Sequence, residues 1–301
     1  MLDAESAVRQ NDRVKERNSF LGWPMVGIAF LLYGLGLGPA YYSWGFLAPE
    51  TIAELDLTRQ EVGNTFGAFT LTFALTSPIA AFGITRIGLR PVILIGSFIA
   101  AAGFWQTSQA SSAADFLLFY SVIGGVGVGL CTLLPAQTLP VHWFHRYRAR
   151  ATALIVLGAG VVGALVPATD HWILMEHDWR LVWKLIAGIS LGIGVLAAIV
   201  LRSHPSDVGQ HRDGATGDEE VNDAHSDSGR SIRAYSQEHD LDSRRAILSP
   251  QFFLVTFACL ANTRPWREVT AHGRLHLEDL GFAASLAAAI LGIRVGASAV
   301  G

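Results

Sequence analysis

Polar side chains inside long apolar stretches are the residues of this sequence best suited to bind a ligand. A buried polar group costs free energy unless it is paired, so such positions are candidate binding sites. The candidates are Tyr33, Tyr41, Asn64, Gln137 and Arg294. A lone arginine in an apolar stretch favours an anion, and its planar guanidinium matches a carboxylate. The alternatives are a tyrosine that anchors a membrane surface and an arginine stranded near the end of the sequence.

Enzymatic chemistry has no visible signature in the sequence. Gly-x-Ser-x-Gly, phosphate-loop and His-Glu-x-x-His patterns are absent. The histidine pairs His142/His145 and His272/His276 have spacings that permit metal binding, but no carboxylate or thiol completes either pair. The net charge of -3 lacks the excess of basic residues that is typical of a nucleic-acid-binding protein. We therefore expect no enzyme, no metal, no cofactor and no nucleic-acid partner.

Six long apolar stretches must position the candidate residues. The chain is 51% hydrophobic and 16% charged, and a membrane-spanning helix needs about 20 mostly apolar residues. This composition predicts an all-α membrane protein whose main partner is the lipid bilayer. The predicted spans are 22–46, 61–84, 91–110, 115–140, 150–174 and 180–201, with a seventh beginning near Pro250 and an eighth near Phe282.

Basic residues alternate between the loops that join these stretches. One side carries five arginines in its loops and the other carries two among several acids. Since basic loops stay in the cytoplasm, the pattern predicts a multi-pass protein of the cell membrane with a cytoplasmic N-terminus. The five are Arg86, Arg90, Arg146, Arg148 and Arg150; the two are Arg59 and Arg180.

The sequence divides into four parts. Residues 1–21 form a polar tail, and residues 22–201 contain the first six spans. Residues 202–246 are acidic and poor in large aliphatic side chains, so they cannot bury enough apolar surface to fold alone. We interpret them as a cytoplasmic linker before the spans of residues 247–301.

Glycines four residues apart recur in these spans. In lipid, helices associate through close backbone approach rather than apolar burial, which favours small residues at their contacts. We expect these pairs to form packing grooves: Gly34 and Gly38, Gly63 and Gly67, Gly125 and Gly129, Gly188 and Gly192, and Gly292 and Gly296.

The loop after the second span resembles the signature of the major facilitator superfamily, Gly-x-x-x-Asp-Arg-x-Gly-x-Arg. Arg86, Gly88 and Arg90 match it, whereas Ala81 and Thr85 replace the leading glycine and the acid. Other motifs resemble the branch of monocarboxylate transporters and oxalate/formate antiporters. They are Gly22-Trp23, Arg90-Pro91-Val92, Trp143-Phe144 and Pro205-x-Asp207-x-Gly209.

The resemblance implies two six-helix halves, a substrate site near the midplane and alternating access. It implies a secondary active transporter of a small organic anion, with proton coupling and anion exchange both open. The first and fourth helices would line the cavity, which favours Tyr33, Tyr41 and Gln137, and an arginine of the eighth helix would bind the carboxylate. The loop motif of Thr85, Arg86, Gly88 and Arg90 would latch a cytoplasmic gate; the alternative is that its bases only set topology.

Two features depart from the family pattern. The sequence stops at Gly301, inside the eighth of twelve expected spans, so we expect a fragment. An incomplete chain would self-associate, and the alternative function is a membrane protein that binds or assembles without transporting. Charges crowd the seventh stretch, each costing about 2.5–3.5 kcal/mol at a helix centre, so it either faces a wet cavity or inserts poorly. They are Arg264, Arg267, Glu268, His272 and Arg274, with Pro265 among them.

Overall fold

The computed structural model of the chain describes residues 20–214 and 249–300. The predicted tail lies almost wholly outside the described residues, as does most of the predicted linker. Two compact units are present, residues 1–214 with 271–301, and residues 215–270.

Eight α-helices and two short 3-10 helices, Pro205–Val208 and Arg212–Gly214, occur among the described residues, and no strand occurs between 20 and 214 or between 249 and 300. The first six α-helices are long and apolar enough to span a membrane, which confirms the predicted class and the first six predicted spans. The α-helices are α1 (Gly22–Leu55), α2 (Arg59–Ile87), α3 (Leu89–Thr107), α4 (Ala113–Trp143), α5 (Arg148–Leu174), α6 (Trp179–Val200), α7 (Pro250–Asp279) and α8 (Ala284–Val300). Among the described residues, α7 and α8 are not candidate spans by the same measure.

Local sequence sets several of the helix ends. At the start of α2, the Thr58 hydroxyl accepts from the Glu61 amide, and the Glu61 carboxylate accepts from the Thr58 amide at 2.8 Å. This reciprocal capping satisfies two amides that lack partners within the helix. The Asp178 side chain caps α6 by accepting from Leu181. Helix α4 contains a π-helical section, Phe116–Gly124, and is interrupted at Thr132.

Two acids that lie beyond the predicted end of the first span at residue 46 are helical in the structure. Helix α1 extends to Leu55, so Glu50 and Glu54 belong to its last turns. Asp170 lies in α5 and is only 4% exposed. The predicted end of the first span was wrong because Glu50 and Glu54 pair with residues of other helices, which makes a helical position tolerable for a charged side chain.

An aromatic core fills the end of the bundle at which α1 ends and α2 begins, here called the Leu55 end. Trp44 stacks on Tyr120 at 4.5 Å between ring centroids. The Tyr120 hydroxyl donates to the Ala40 carbonyl at 3.1 Å, and the Trp44 indole donates to the Val62 carbonyl at 3.1 Å. Trp183 is fully buried against these rings. These contacts fix α1 against α2, α4 and α6.

Helices α1 and α5 pack closely because glycines remove side chains from the contact. A Cβ atom on Gly34 would lie 2.8 Å from the Gly158 carbonyl oxygen, and one on Gly38 would lie 3.1 Å from the Val162 side chain. Helix α8 uses the same device, since a Cβ on Gly292 would lie 2.6 Å from the Ala164 carbonyl oxygen. The predicted grooves are confirmed at Gly34, Gly38 and Gly292.

The described part of the second unit, residues 249–270, contains the first part of α7. The Ser249 hydroxyl accepts from the Phe252 amide at 3.2 Å, which caps this helix. Its large apolar side chains are exposed, with Leu254 at 70% and Phe257 at 73%. This surface is apolar, as expected of a helix that faces lipid.

Candidate functional site

A cavity of about 530 Å³ lies between α1, α5 and α8. Tyr33 and Tyr42 line it from α1, and Ser298 lines it from α8. The α5 wall comes from small and aliphatic residues between 153 and 160. An apolar wall with a few hydroxyl groups is typical of a site for a small molecule.

Arg294 lies on α8 within electrostatic range of Tyr42 and Tyr41. The side chain is half-buried. The Tyr41 ring packs edge-on against Tyr42 at 5.2 Å and against Phe66 at 4.9 Å. Tyr42 is therefore the residue that connects the cavity, the Tyr41 ring and the Arg294 cation.

The structure brings together three of the five predicted binding residues. Tyr33, Tyr41 and Arg294 are linked through Tyr42, whereas no described contact joins Asn64 or Gln137 to them. Asn64 is exposed on α2, and Gln137 is half-buried in the last section of α4. Whether any of the five binds substrate remains a prediction.

Sequence reasoning gave Tyr42 and Ser298 no place among the binding residues. The one sequence feature connected with Tyr42 is Gly163 on α5. In the structure, a Cβ atom added at Gly163 would collide with the Tyr42 ring. A glycine at that position gives the ring room to lie across α5. Ser298 carries no comparable signal in the sequence.

The loop motif makes its contacts within the first six helices. Gly88 ends α2 and begins α3 with φ 92, a backbone conformation that side chains disfavour, so a glycine is needed there. Arg90 donates from Nε to the Leu201 carbonyl at 2.7 Å and from Nη2 to the Ile199 carbonyl at 3.2 Å. These are carbonyls at the end of α6, where a cation is favoured.

Arg86 and Thr85 have local contacts. The Arg86 guanidinium lies 5.1 Å from the centre of the Phe82 ring, and the Thr85 hydroxyl donates to the Phe82 carbonyl at 2.8 Å. Both residues are exposed. A latch between transporter halves therefore stays a prediction for this motif, and the observed role of Arg90 is to cap α6.

A second polar cluster occupies the Leu55 end. Arg274 of α7 is 5% exposed and donates to both oxygens of Glu50, at 2.9 Å and 2.6 Å. Its Nε donates to Glu278 at 2.8 Å, and Nη1 also donates to the Phe46 carbonyl. This charge was expected to face a wet cavity or to oppose insertion. It is buried in an ion pair with α1 rather than facing a wet cavity, and poor insertion of the seventh stretch stays a prediction.

Further polar contacts surround this cluster. Arg59 makes two bonds to Asp279, at 2.6 Å and 2.8 Å, with both side chains largely exposed. One turn further along α1, the Glu54 carboxylate accepts from Trp179 at 2.7 Å and from Arg180 at 2.5 Å. The Leu55 end is thus held by charges from α1, α2, α6 and α7.

The fold and these contacts define an α-helical membrane protein with a cavity lined by apolar side chains and hydroxyl groups and with a cluster of ion pairs at one end. A family model described as "Major Facilitator Superfamily" matches residues 23–301. The chain belongs to that superfamily, as its loop motif predicted. The superfamily consists of transporters rather than enzymes.

Curated relatives agree with the predicted branch. Human monocarboxylate transporter 11 is 27% identical over 180 residues, which is 60% of this chain and 38% of the relative. Monocarboxylate transporter 2 of Mesocricetus auratus is 24% identical over 208 residues, 64% of this chain and 41% of the relative. The chain thus spans about two fifths of the length of these relatives.

A solved structure supports the fold. The crystal structure of a D-xylose-proton symporter superposes with a TM-score of 0.61 at 13% identity. The match covers 92% of this chain and 65% of the other. At this identity the likeness shows the fold alone.

Proposed function

We propose that the chain acts in secondary active transport of a small organic anion, a monocarboxylate or a close analogue. The observation that carries the proposal is the half-buried cation of Arg294, next to Tyr41 and Tyr42 and close to an otherwise apolar cavity. The similarity to proteins named monocarboxylate transporters supports the same ligand class.

The chemistry of binding follows from the groups available. The Arg294 guanidinium would bind the carboxylate through two parallel N–H donors, a geometry that suits arginine better than lysine. The hydroxyls of Tyr33 and Tyr42 would bind polar groups on the rest of the molecule, and the small α5 residues would contact its apolar part. This arrangement favours small anions over neutral molecules.

Transport in this proposal follows alternating access, with the anion site opened in turn to each side. The Leu55 end would face away from the cytoplasm, because the arginine-rich loops lie at the opposite end. Proton coupling and anion exchange both remain compatible with this arrangement. Residues 202–246 would join the two halves on the cytoplasmic side.

Substitution of Arg294 tests the binding role. We expect Arg294→Ala to weaken binding of radiolabelled lactate at least about tenfold, since a charged hydrogen bond contributes about 1.5–3 kcal/mol. Arg294→Lys should keep part of the affinity, because the charge remains without the planar fork. Equal lactate affinities for the wild type and the alanine variant would show that Arg294 does not bind the anion.

Vesicle uptake separates transport from binding alone. In lipid vesicles containing the 301-residue chain, a transporter accumulates labelled lactate in a saturable way, driven by a proton gradient or by unlabelled anion inside. A protein that only binds or assembles gives a binding isotherm without accumulation. Crosslinking in the same vesicles reports whether two copies associate.

A further inference from the structure

Asp170 of α5 is a buried carboxyl group that neither the cavity nor the proposed anion site uses. It is 4% exposed, although it lies only one turn before the end of α5. Its Oδ2 atom has no hydrogen-bond partner among the described residues. Its neighbour from α1 is Ser43, whose buried hydroxyl interacts with the Asp170 carboxyl group. A buried ionised carboxylate whose direct contact is a neutral hydroxyl is costly, whereas the protonated group costs much less.

The charged groups acting on Asp170 are Arg274 of α7 and Glu50 of α1. Arg274 is engaged by two other carboxylates, Glu50 and Glu278, and by the Phe46 carbonyl. The Arg274 guanidinium therefore has three carboxylates nearby when Asp170 is ionised. It has two, those of Glu50 and Glu278, when Asp170 is protonated.

The remaining helices around α5 bring their own charged groups. Arg180 of α6 is paired with Glu54. Arg294 of α8 interacts with Tyr41 and Tyr42. The cation within reach of Asp170 in the described contacts is thus Arg274, whose present bonds hold α7 against α1.

We propose that Asp170 is a proton-binding site that controls the contact between α1 and α7 at the Leu55 end. With a proton on Asp170, Arg274 stays on Glu50 and the contact is closed, as in this structure. When Asp170 releases its proton, its carboxylate competes for Arg274, the Arg274–Glu50 bonds weaken and the two helices separate. The inference rests on the proposed function, because it supplies the link between a proton and the movement of the transporter halves.

Acidic conditions keep Asp170 neutral and the contact closed, and raising the pH favours separation. Asp170→Asn imitates the protonated group with similar size, so it should hold the contact closed at every pH. Asp56→Asn is the matched control, because Asp56 is an exposed carboxylate at the same end, and asparagine tolerates its left-handed backbone (φ 52).

The experiment measures the α1–α7 separation directly. Spin labels are placed at the exposed positions Ala53 and Leu280 of the 301-residue chain, with Cys131→Ala and Cys259→Ser as background, in lipid nanodiscs. We expect the wild type and Asp56→Asn to shift from a short to a long inter-label distance as pH rises. Asp170→Asn should keep the short distance throughout. A wild-type distance that ignores pH, or an Asp170→Asn variant that shifts like the wild type, overturns the proposal.

A second measurement applies if Asp170→Asn does not fold. In the wild type, infrared spectroscopy in acidic buffer should show the carbonyl band of a protonated buried carboxyl group, and Ser43→Ala should shift that band. Absence of the band, or a band unchanged by Ser43→Ala, overturns the proposal.

Lactate binding in the same samples separates the proposed transport function from the proposed role of Asp170. Lost binding with an intact pH response refutes only the proposed function, and intact binding without a pH response refutes only the role of Asp170.

Discussion

Arg90 shows how a single side chain can stabilise a helix far from it in sequence. Its guanidinium donates to the Leu201 and Ile199 carbonyls, which lack partners within α6 because they lie at its end. A cation there also interacts favourably with the negative end of the helix dipole. We infer that Arg90 contributes to stability whether or not it also takes part in a gate.

Replacing Arg90 should therefore destabilise the fold more than replacing Arg86. We expect Arg90→Ala to lower the free energy of unfolding by about 1.5–3 kcal/mol, the range for hydrogen bonds to charged groups. Arg86→Ala removes an exposed cation–π contact of about 0.5–1 kcal/mol. Denaturant unfolding in detergent, followed by tryptophan fluorescence, measures both. Equal losses would show that the α6 contacts add nothing to stability.

The loop motif marked Arg90 and Gly88 from sequence, but it did not identify their contacts. The need for glycine at Gly88 follows from the turn between α2 and α3, which is local. The carbonyls that Arg90 binds lie more than 100 residues away along the chain. Sequence spacing carries no information about a partner at that distance.

At the scale of elements, the α1–α5 interface depends on backbone approach. Gly34 faces the Gly158 carbonyl, and the Tyr42 ring covers Gly163. Apolar burial does not drive helices together in lipid, so the dispersion gained by close packing must hold this pair. The cavity is formed against the same interface, so its shape depends on these glycines.

A methyl group at this interface should be more harmful than one on a helix surface. We expect Gly34→Ala to lower the free energy of unfolding by about 1–3 kcal/mol, because the new Cβ meets backbone at 2.8 Å. The control is Gly188→Ala on α6, where no atom lies within 4 Å of the added Cβ. That change should be neutral, or stabilise by up to about 1 kcal/mol through helix propensity. Similar losses in both variants would contradict close packing at Gly34.

Hydrophobic runs predicted the spans well, but the charged residues near their ends were misassigned. Six spans were found because about 20 apolar residues is a strong signal. Glu50 fell beyond the predicted end of the first span because its partner, Arg274, belongs to a helix distant in sequence. The groove prediction was wrong at Gly188 and Gly192, which have open space beside them. Spacing reveals small residues but not which face of a helix meets a neighbour.

At the scale of the whole molecule, the arginine-rich loops predict which end faces the cytoplasm. In a cysteine-free background, a single cysteine at Asp56 should react with a membrane-impermeant reagent added to intact cells. A cysteine at Arg148, on the opposite side, should react only after the cells are opened. Both positions are exposed, so the difference reports the side of the membrane rather than burial.

The reverse pattern would overturn the orientation. Reaction at Arg148 in intact cells, with none at Asp56, would place the Leu55 end in the cytoplasm. The proposed proton site would then respond to the cytoplasmic pH, although the α1–α7 contact itself would be unchanged.

The central claim is that this chain binds a small carboxylate through its charge. The most direct test is displacement of radiolabelled lactate from the purified 301-residue chain by lactate, by lactamide and by xylose. Lactamide has nearly the shape of lactate without the negative charge, and xylose is the sugar named for the transporter of similar fold. We predict that lactate displaces the label in a saturable way and that lactamide and xylose do not. Displacement by lactamide as effective as that by lactate, or no saturable lactate binding, would contradict the claim.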